Sequence, residues 1–329
     1  MILAGDIGGT NTRLALYEKA RGSVRVAEGR FLSKNYPNLL SIVQTFLKKH
    51  DNVVPTRAVF GLAGPIEDGQ CQVTNLPWFV DAKMMEKELK IPSVTLINDL
   101  EAFAWGLQAL KPQELCLLHA GKPKIVGNKA LIAAGTGLGE AGLYWDGRQH
   151  HPFATEGGNA DFSPRNDLEF ELMHFLKKTY THVSAETVIS GPGLYLIYQF
   201  LIDSEYEKAS KEVQKEMSEK DPSEVVSNWG RHYRDPACTR AVEWFISLYG
   251  AEAGNLALKV LARGGVYVAG KIATIFAENI KKGGFVKSFL EKGVSTPLMN
   301  SIPIYLVLNE ETPLFGAFEY ARAHQGNTE

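Results

Sequence analysis

Residues 4–16 read AGDIGGTNTRLAL. ILA (2–4) and TRLALY (12–17) have strand composition, and a glycine-rich turn, Gly5-Asp6-Ile7-Gly8-Gly9-Thr10-Asn11, separates them. Lacking Cβ atoms, such a turn lets backbone N–H groups approach phosphate oxygens closely. The pattern returns in KALIAAGTGLGEAGLYW (129–145), whose turn is Gly135-Thr136-Gly137-Leu138-Gly139. A tight hairpin would account for either turn alone. Two phosphate-sized turns, one in each half, fit a nucleoside triphosphate gripped between two lobes. Asp6, beside the first, is placed to hold Mg²⁺ directly or through water.

Around these turns, strands alternate with helices. LLSIVQTFLKKH (39–50) has helical spacing, RAVFGLAGP (57–65) runs from strand into turn, and DAKMMEKELK (81–90) is a short amphipathic helix with Asp81 as its cap. SVTLIND (93–99) is another strand, followed by the helical LEAFAWGLQAL. The second half adds helices at 168–180, 193–202 and 240–261, the strand-turn-helix GGVYVAGKI (264–272), a late strand IPIYLVL (302–308), and the C-terminal helix LFGAFEYARAHQ. Apolar strands alternating with helices imply a partly parallel sheet covered by helices. The charge-dense segment 203–224 reads as a solvated helix or insertion.

The 329 residues are 45% hydrophobic, ample for packed cores, and at about 150 residues per domain they suggest two domains. Thirty-five Lys and Arg against 37 Asp and Glu leave no basic surplus for nucleic acid or anionic membrane. Three cysteines without CxxC spacing predict neither disulfides nor a cysteine zinc site. The N-terminal residues lack a basic leader, and GLYLIYQFLI (193–202) is about half a membrane span, so a soluble, cytoplasmic protein is expected. A GxxxxGK motif is absent. Gly137, Gly139 and Gly142 match GxGxxG, but AGLYWDG has strand character where the dinucleotide fingerprint needs a helix.

Asn98 and Asp99 follow the apolar run VTLI at the carboxyl end of a predicted strand, where open α/β sheets present ligand-contacting groups. TEGGNADF supplies Glu156 and Asn159, and HVSAETVISG supplies Glu186. Carboxylates and amides together suit the hydroxyls of a polyol. Taken singly, Glu186 is also a helix-start residue behind a Ser184 cap, and Asn98-Asp99 a turn pair.

The segments AGDIGGTNTRLAL, GLAGPI, VTNLPW, LINDLEAF, AAGTGLG, EGGNADFSP, SAETVISGPGL and GGVYVAGKI span residues 4–272, and in this order they resemble the bacterial glucokinase family. These are sugar kinases of the actin-like, ribonuclease-H-like ATPase fold. The late strand and PLFGAF extend the likeness over nearly the whole chain. The resemblance implies a two-lobed α/β fold with a cleft between a small domain, 1–109 plus 302–329, and a large domain, 110–301. It implies transfer of phosphate from ATP to D-glucose with Mg²⁺, in a homodimer.

By matching position, Gly5, Asp6, Ile7, Gly8, Gly9 and Thr10 resemble the ATP phosphate loop, and Gly135, Thr136 and Gly137 the second loop. AGNLAL (253–258) and the AGK turn resemble the adenosine side. Asn98, Asp99, Glu156, Asn159 and Glu186 fall at sugar-contacting positions, with Asp99 as the catalytic base. An aspartate is a weak base, yet it serves where a loose transition state leaves most of the work to positioning and electrostatics. Three departures stand out. Asn159 replaces a family His, Lys271 replaces a Gly, and Glu140 follows the second turn, where it is expected to point away from phosphate. The alternatives are a kinase for another hexose or amino sugar, a sugar-binding protein with weak turnover, and an actin-like ATPase without a sugar.

Overall fold

The computed structural model describes residues 1–18, 24–74, 76–122 and 126–324. Asn75, within VTNLPW, lies outside the described residues. The chain divides into two compact α/β units, one of Met1–Pro112 with Pro152–Ala154 and Asn309–Glu329, the other of Gln113–His151 and Thr155–Leu308.

In the first unit, β1 (Ile2–Ile7) and β2 (Asn11–Glu18) form an antiparallel hairpin, and β3 (Val24–Leu32) extends it antiparallel at the edge. On the other side of β1 lie β4 (Arg57–Leu62) and β7 (Val94–Asn98), both parallel to it, giving the order β3-β2-β1-β4-β7. A separate short hairpin joins β5 (Gln70–Gln72) to β6 (Phe79–Asp81). Alternation along β1 divides its side chains between two cores. Leu3 and Ile7 join Phe46, Phe60 and Trp78 on one face, and Ile2 and Ala4 join Tyr17, Leu314 and Phe318 on the other. The second face is covered by the helices Asp99–Leu107 and Thr312–Ala323.

The second unit repeats the plan. β9 (Lys129–Ala134) and β10 (Leu138–Trp145) form an antiparallel hairpin, and β12 (Val266–Ala269) and β13 (Ile304–Val307) follow in parallel beside β9. β11 (His150–Thr155) lies beside β10, and β8 (Leu115–His119) runs antiparallel to β13, giving β11-β10-β9-β12-β13-β8. The 25-residue helix Pro236–Val260, with Asp235 capping its first turn, carries much of the apolar core.

The structure moves two expected boundaries. The late strand 304–307 belongs to the second sheet, so the chain returns to the first unit at Asn309 rather than at 302. The first unit also runs on to Pro112 instead of ending at 109. The charge-dense segment resolves into the helix Lys211–Met217 and the start of the helix Pro222–Arg231, capped by Ser210 and Asp221. AGLYWDG lies in and just after β10, a strand, so the GxGxxG match is not a dinucleotide fingerprint. Among the described residues no helix is long and apolar enough to cross a membrane, and the three cysteines are free thiols.

Candidate active site

In the first unit the glycine segment is shorter as a turn than its sequence suggests. Gly5, Asp6 and Ile7 are the end of β1, and the turn proper is Gly8–Thr10, closed by a bond from Gly8 N–H to Asn11 O (2.9 Å). A Cβ on Gly5 would meet the ring of buried Phe60 at 2.5 Å, so this glycine serves core packing. Ser33 fixes the turn from the side, donating its hydroxyl to Gly8 O at 2.9 Å. Asp6 pairs across the hairpin with Arg13. Burial pushes its carboxyl up to about 6, with the Arg13 guanidinium pulling the other way.

Asn98 ends β7 and caps the helix Asp99–Leu107, its Oδ1 accepting from Leu100 N–H (2.9 Å) and Glu101 N–H (3.3 Å). Its Nδ2 donates to Gly64 O at 3.3 Å. Asp99 is the first helical residue, and its Oδ1 accepts from Leu100 N–H at 2.9 Å. Gly61 on β4 makes this placement possible. A Cβ there would crowd Ala102 Cβ at 2.8 Å, with Asp99 Cα and Gly5 O both at 3.7 Å. The first unit thus brings the carboxyl end of β1 and the Asn98-Asp99 helix start to one place, the parallel-strand ends where α/β sheets bind ligands.

In the second unit, three predicted sugar residues collect around the start of β10. Glu186 lies in the short helix Ala185–Val188, capped by Ser184 in a reciprocal capping box with Thr187. Its Oε2 accepts from Leu138 N–H at 2.9 Å and occupies the space a Cβ on Gly137 would need. Glu186 is therefore both the helix-start residue and a partner of the second glycine turn. Gly135 N–H and Gly137 O close that turn at 2.8 Å, and Gly135 O accepts from Gly191 N–H at 2.8 Å. Glu156 precedes the 3₁₀ turn Gly157–Asn159 and Asn159 ends it, with Asn159 Nδ2 donating to Glu156 Oε2 at 3.4 Å. The segment after this turn is tied to the Glu186 segment by Ala185 N–H to Ala160 O (2.9 Å) and Phe162 N–H to Val183 O (3.0 Å).

Glu140, expected to point away from phosphate, is 1% exposed; its Oε1 has no hydrogen-bond partner, and its Oε2 fills the space beside Gly157. Lys271 is exposed on the helix Gly270–Ile275.

The donor set suits magnesium. Asp6, in β1 two residues before the Gly8–Thr10 turn, offers a hard oxygen donor, and among the described residues no group of three or more His, Cys, Asp or Glu could hold a metal. One carboxylate with nucleotide phosphates and waters is how Mg²⁺ is commonly held.

Residues 3–324 match the family model described as Glucokinase. The glucokinase of Nostoc punctiforme is 40% identical to this chain, over 96% of it and 97% of the relative. A crystal structure of a glucokinase from an Antarctic psychrotroph is 28% identical, with a TM-score of 0.83 and 98% of both chains covered. The glucose-bound glucokinase of Balamuthia mandrillaris, at 21% identity, shares the fold with a TM-score of 0.80 over 98% of this chain and 93% of that one.

Proposed function

The chain belongs to the glucokinase family, and from that premise we propose that it transfers the terminal phosphoryl group of ATP to the 6-hydroxyl of D-glucose, with Asp99 as the base. The observation that carries this is the placement of Asp99. It stands at the first position of a helix, at the carboxyl end of a parallel strand, with its backbone fixed by the Asn98 cap and packed on Gly61. Asp99 accepts the hydroxyl proton as the oxygen attacks, and Asn98 orients the same hydroxyl region. Glu156, Asn159 and Glu186 engage the remaining hydroxyls.

The Gly8–Thr10 turn and the Gly135–Gly137 turn supply backbone N–H groups to the nucleotide phosphates. Asp6 would hold Mg²⁺, directly or through water, and positive charge supplied there would offset that of the phosphates. We further infer an actin-like fold, in which exclusion of water from the bound sugar keeps water from accepting the phosphoryl group. The family likeness also carries a homodimer as the expected assembly, and sedimentation velocity tests it.

A second reading, a kinase for another hexose or an amino sugar, rests on Asn159, whose amide is already turned toward Glu156. ATP-dependent ADP release measured over a hexose panel separates the two. Glucose should stimulate release most, and Asp99→Asn should lower kcat by about 10²–10⁴-fold, the range of a lost general base. Stimulation by another sugar and not by glucose overturns the glucose assignment. Full turnover by Asp99→Asn overturns the base assignment.

A further inference from the structure

The strand that follows the second glycine turn carries an ionisable group inside the protein. Glu140, on β10, is 1% exposed, and Glu252, on the helix Pro236–Val260, is 6% exposed. Glu252 has compensation. Its Oε2 accepts from Asn255 Nδ2 at 2.8 Å, and Lys259 Nζ stands 3.5 Å from its Oε1. Asn255 in turn accepts from Lys292 Nζ at 2.6 Å. Glu252 Oε1, though 3.5 Å from Lys259 Nζ, makes no hydrogen bond, and among the described residues neither does the buried Glu140 Oε1, which has no ion pair beside it. A buried carboxylate without a partner is costly, which favours the protonated form of Glu140.

Glu140 also bears on the sugar residues. Its Oε2 packs against Gly157, in the space a Cβ there would occupy. Its backbone O accepts from Thr155 Oγ1 at 3.0 Å, and Thr155 Oγ1 accepts from Gly157 N–H at 3.2 Å. The turn that carries Glu156 and Asn159 is thus seated on Glu140 through both main chain and side chain. We propose that Glu140 is a positioning residue for the sugar-binding turn, holding Glu156 and Asn159 in place while its carboxyl is protonated and loosening them when it ionises. The proposal rests on the assignment of Glu156 and Asn159 to sugar binding.

The groups facing Glu140 set the pH at which this happens. Burial and the neighbouring Glu252 charge push its carboxyl up to about 7, and Lys259 acts against them. Tyr249, on the same helix, is itself pushed up by burial, with the Glu140 charge adding to the effect. Lys292 is pushed down by burial, with Arg165 and Lys259 adding to the fall, while Glu252 and Glu169 oppose it. On ionising, the Glu140 carboxylate carries a charge that its buried seat beside Gly157 leaves without a hydrogen bond at Oε1, and the packing against that turn is disturbed. Sugar affinity then falls as pH rises through neutrality. Glucose has no group titrating in this range, so the dependence belongs to the protein.

The test is calorimetric titration of the full-length protein with D-glucose, without nucleotide, from pH 6 to 8.5. In the wild type the Kd should rise about fivefold or more across this range, the low end of ordinary coupling energies. Glu140→Gln keeps the volume and the hydrogen-bonding capacity of the neutral acid but cannot ionise. It should bind glucose at pH 8.5 as tightly as the wild type does at pH 6, with a flat profile. Glu140→Ala should bind weakly at every pH, and thermal melting establishes that each variant is folded. A merely structural residue would not produce a flat profile in the isosteric variant. Glu140→Gln with the wild-type pH dependence overturns this proposal alone. A wild type that binds no glucose at any pH overturns the sugar assignment as well.

Discussion

Asn159 is the residue at which substrate choice is most exposed to test. Its amide keeps one donor and one acceptor, and the donor is directed at Glu156 Oε2 at 3.4 Å, a long bond for a carboxylate partner. Asn159→His restores the family residue, whose ring reaches further and presents two nitrogens. The apparent KM for glucose should fall about 10-fold with kcat nearly unchanged, the signature of added ground-state binding. Steady-state kinetics at saturating ATP reads this directly, and an unchanged KM would remove Asn159 from sugar recognition. Residues of this kind were legible because they lie in local motifs, EGGNADF and SAETVISG. Glu186 carried two competing readings, helix start and ligand, and its geometry satisfies both, through the Ser184 capping box and the bond to Leu138 N–H. Glu140 was not legible. Its meaning depends on Glu252, more than a hundred positions away, and no local pattern pairs them.

At the level of elements, strands and helices were legible where apolar periodicity and caps agreed, as at the Asp81-capped helix and at β7. β3 was missed because VRVAEGRFL is an exposed edge strand, with Val24 45% and Val26 47% exposed and Arg25 between them. The late strand was found, but its sheet was not, because membership is decided by pairing with β12 and β8 rather than by its own residues. The close crossing of the helices Asp99–Leu107 and Thr312–Ala323 was likewise invisible. Gly316 lies against Ala102 O and Gly106 against Thr312 O, each filling the space a Cβ would need. That crossing anchors the helix whose first residue is Asp99. Gly316→Ala should therefore destabilise the first unit by about 1–3 kcal/mol, the usual cost of overpacking. It should lower kcat more than the glucose KM changes, because the base moves with its helix. Denaturant unfolding followed by Trp fluorescence gives the first number. A variant as stable as the wild type would show that the two helices can separate freely.

For the molecule as a whole, the two units repeat one plan, a hairpin with parallel strands beside it, and the glycine turns made that repeat readable from residues 4–16 and 129–145 alone. Each unit also holds a carboxyl whose ionisation burial opposes. Asp6 is raised from 3.8 to about 6 and Glu140 from 4.5 to about 7. At low pH both the folded and the unfolded chain hold these protons, and no stability is lost. As pH rises through about 4 the unfolded chain releases them while the folded one retains them, so unfolding gains until the folded groups ionise too. The contribution of these two groups to stability is therefore full at low pH, declines between about 4 and about 7, and stays low above. Asp6→Asn removes one of these losses. The apo protein should then be more stable at pH 8 by on the order of 1–2 kcal/mol, a modest gain because Asp6 is only half-buried. Turnover should fall in the same variant, since the amide is a poorer ligand for Mg²⁺. Nucleotide with Mg²⁺ should also raise the melting temperature of the wild type more than that of Asp6→Asn, by mass action on the folded state. Thermal melts at pH 5 and pH 8, with and without Mg²⁺ and ATP, carry all three comparisons. An Asp6→Asn protein less stable than the wild type at pH 8 would mean that Arg13, left without its opposing charge, outweighs the relief of the buried carboxylate.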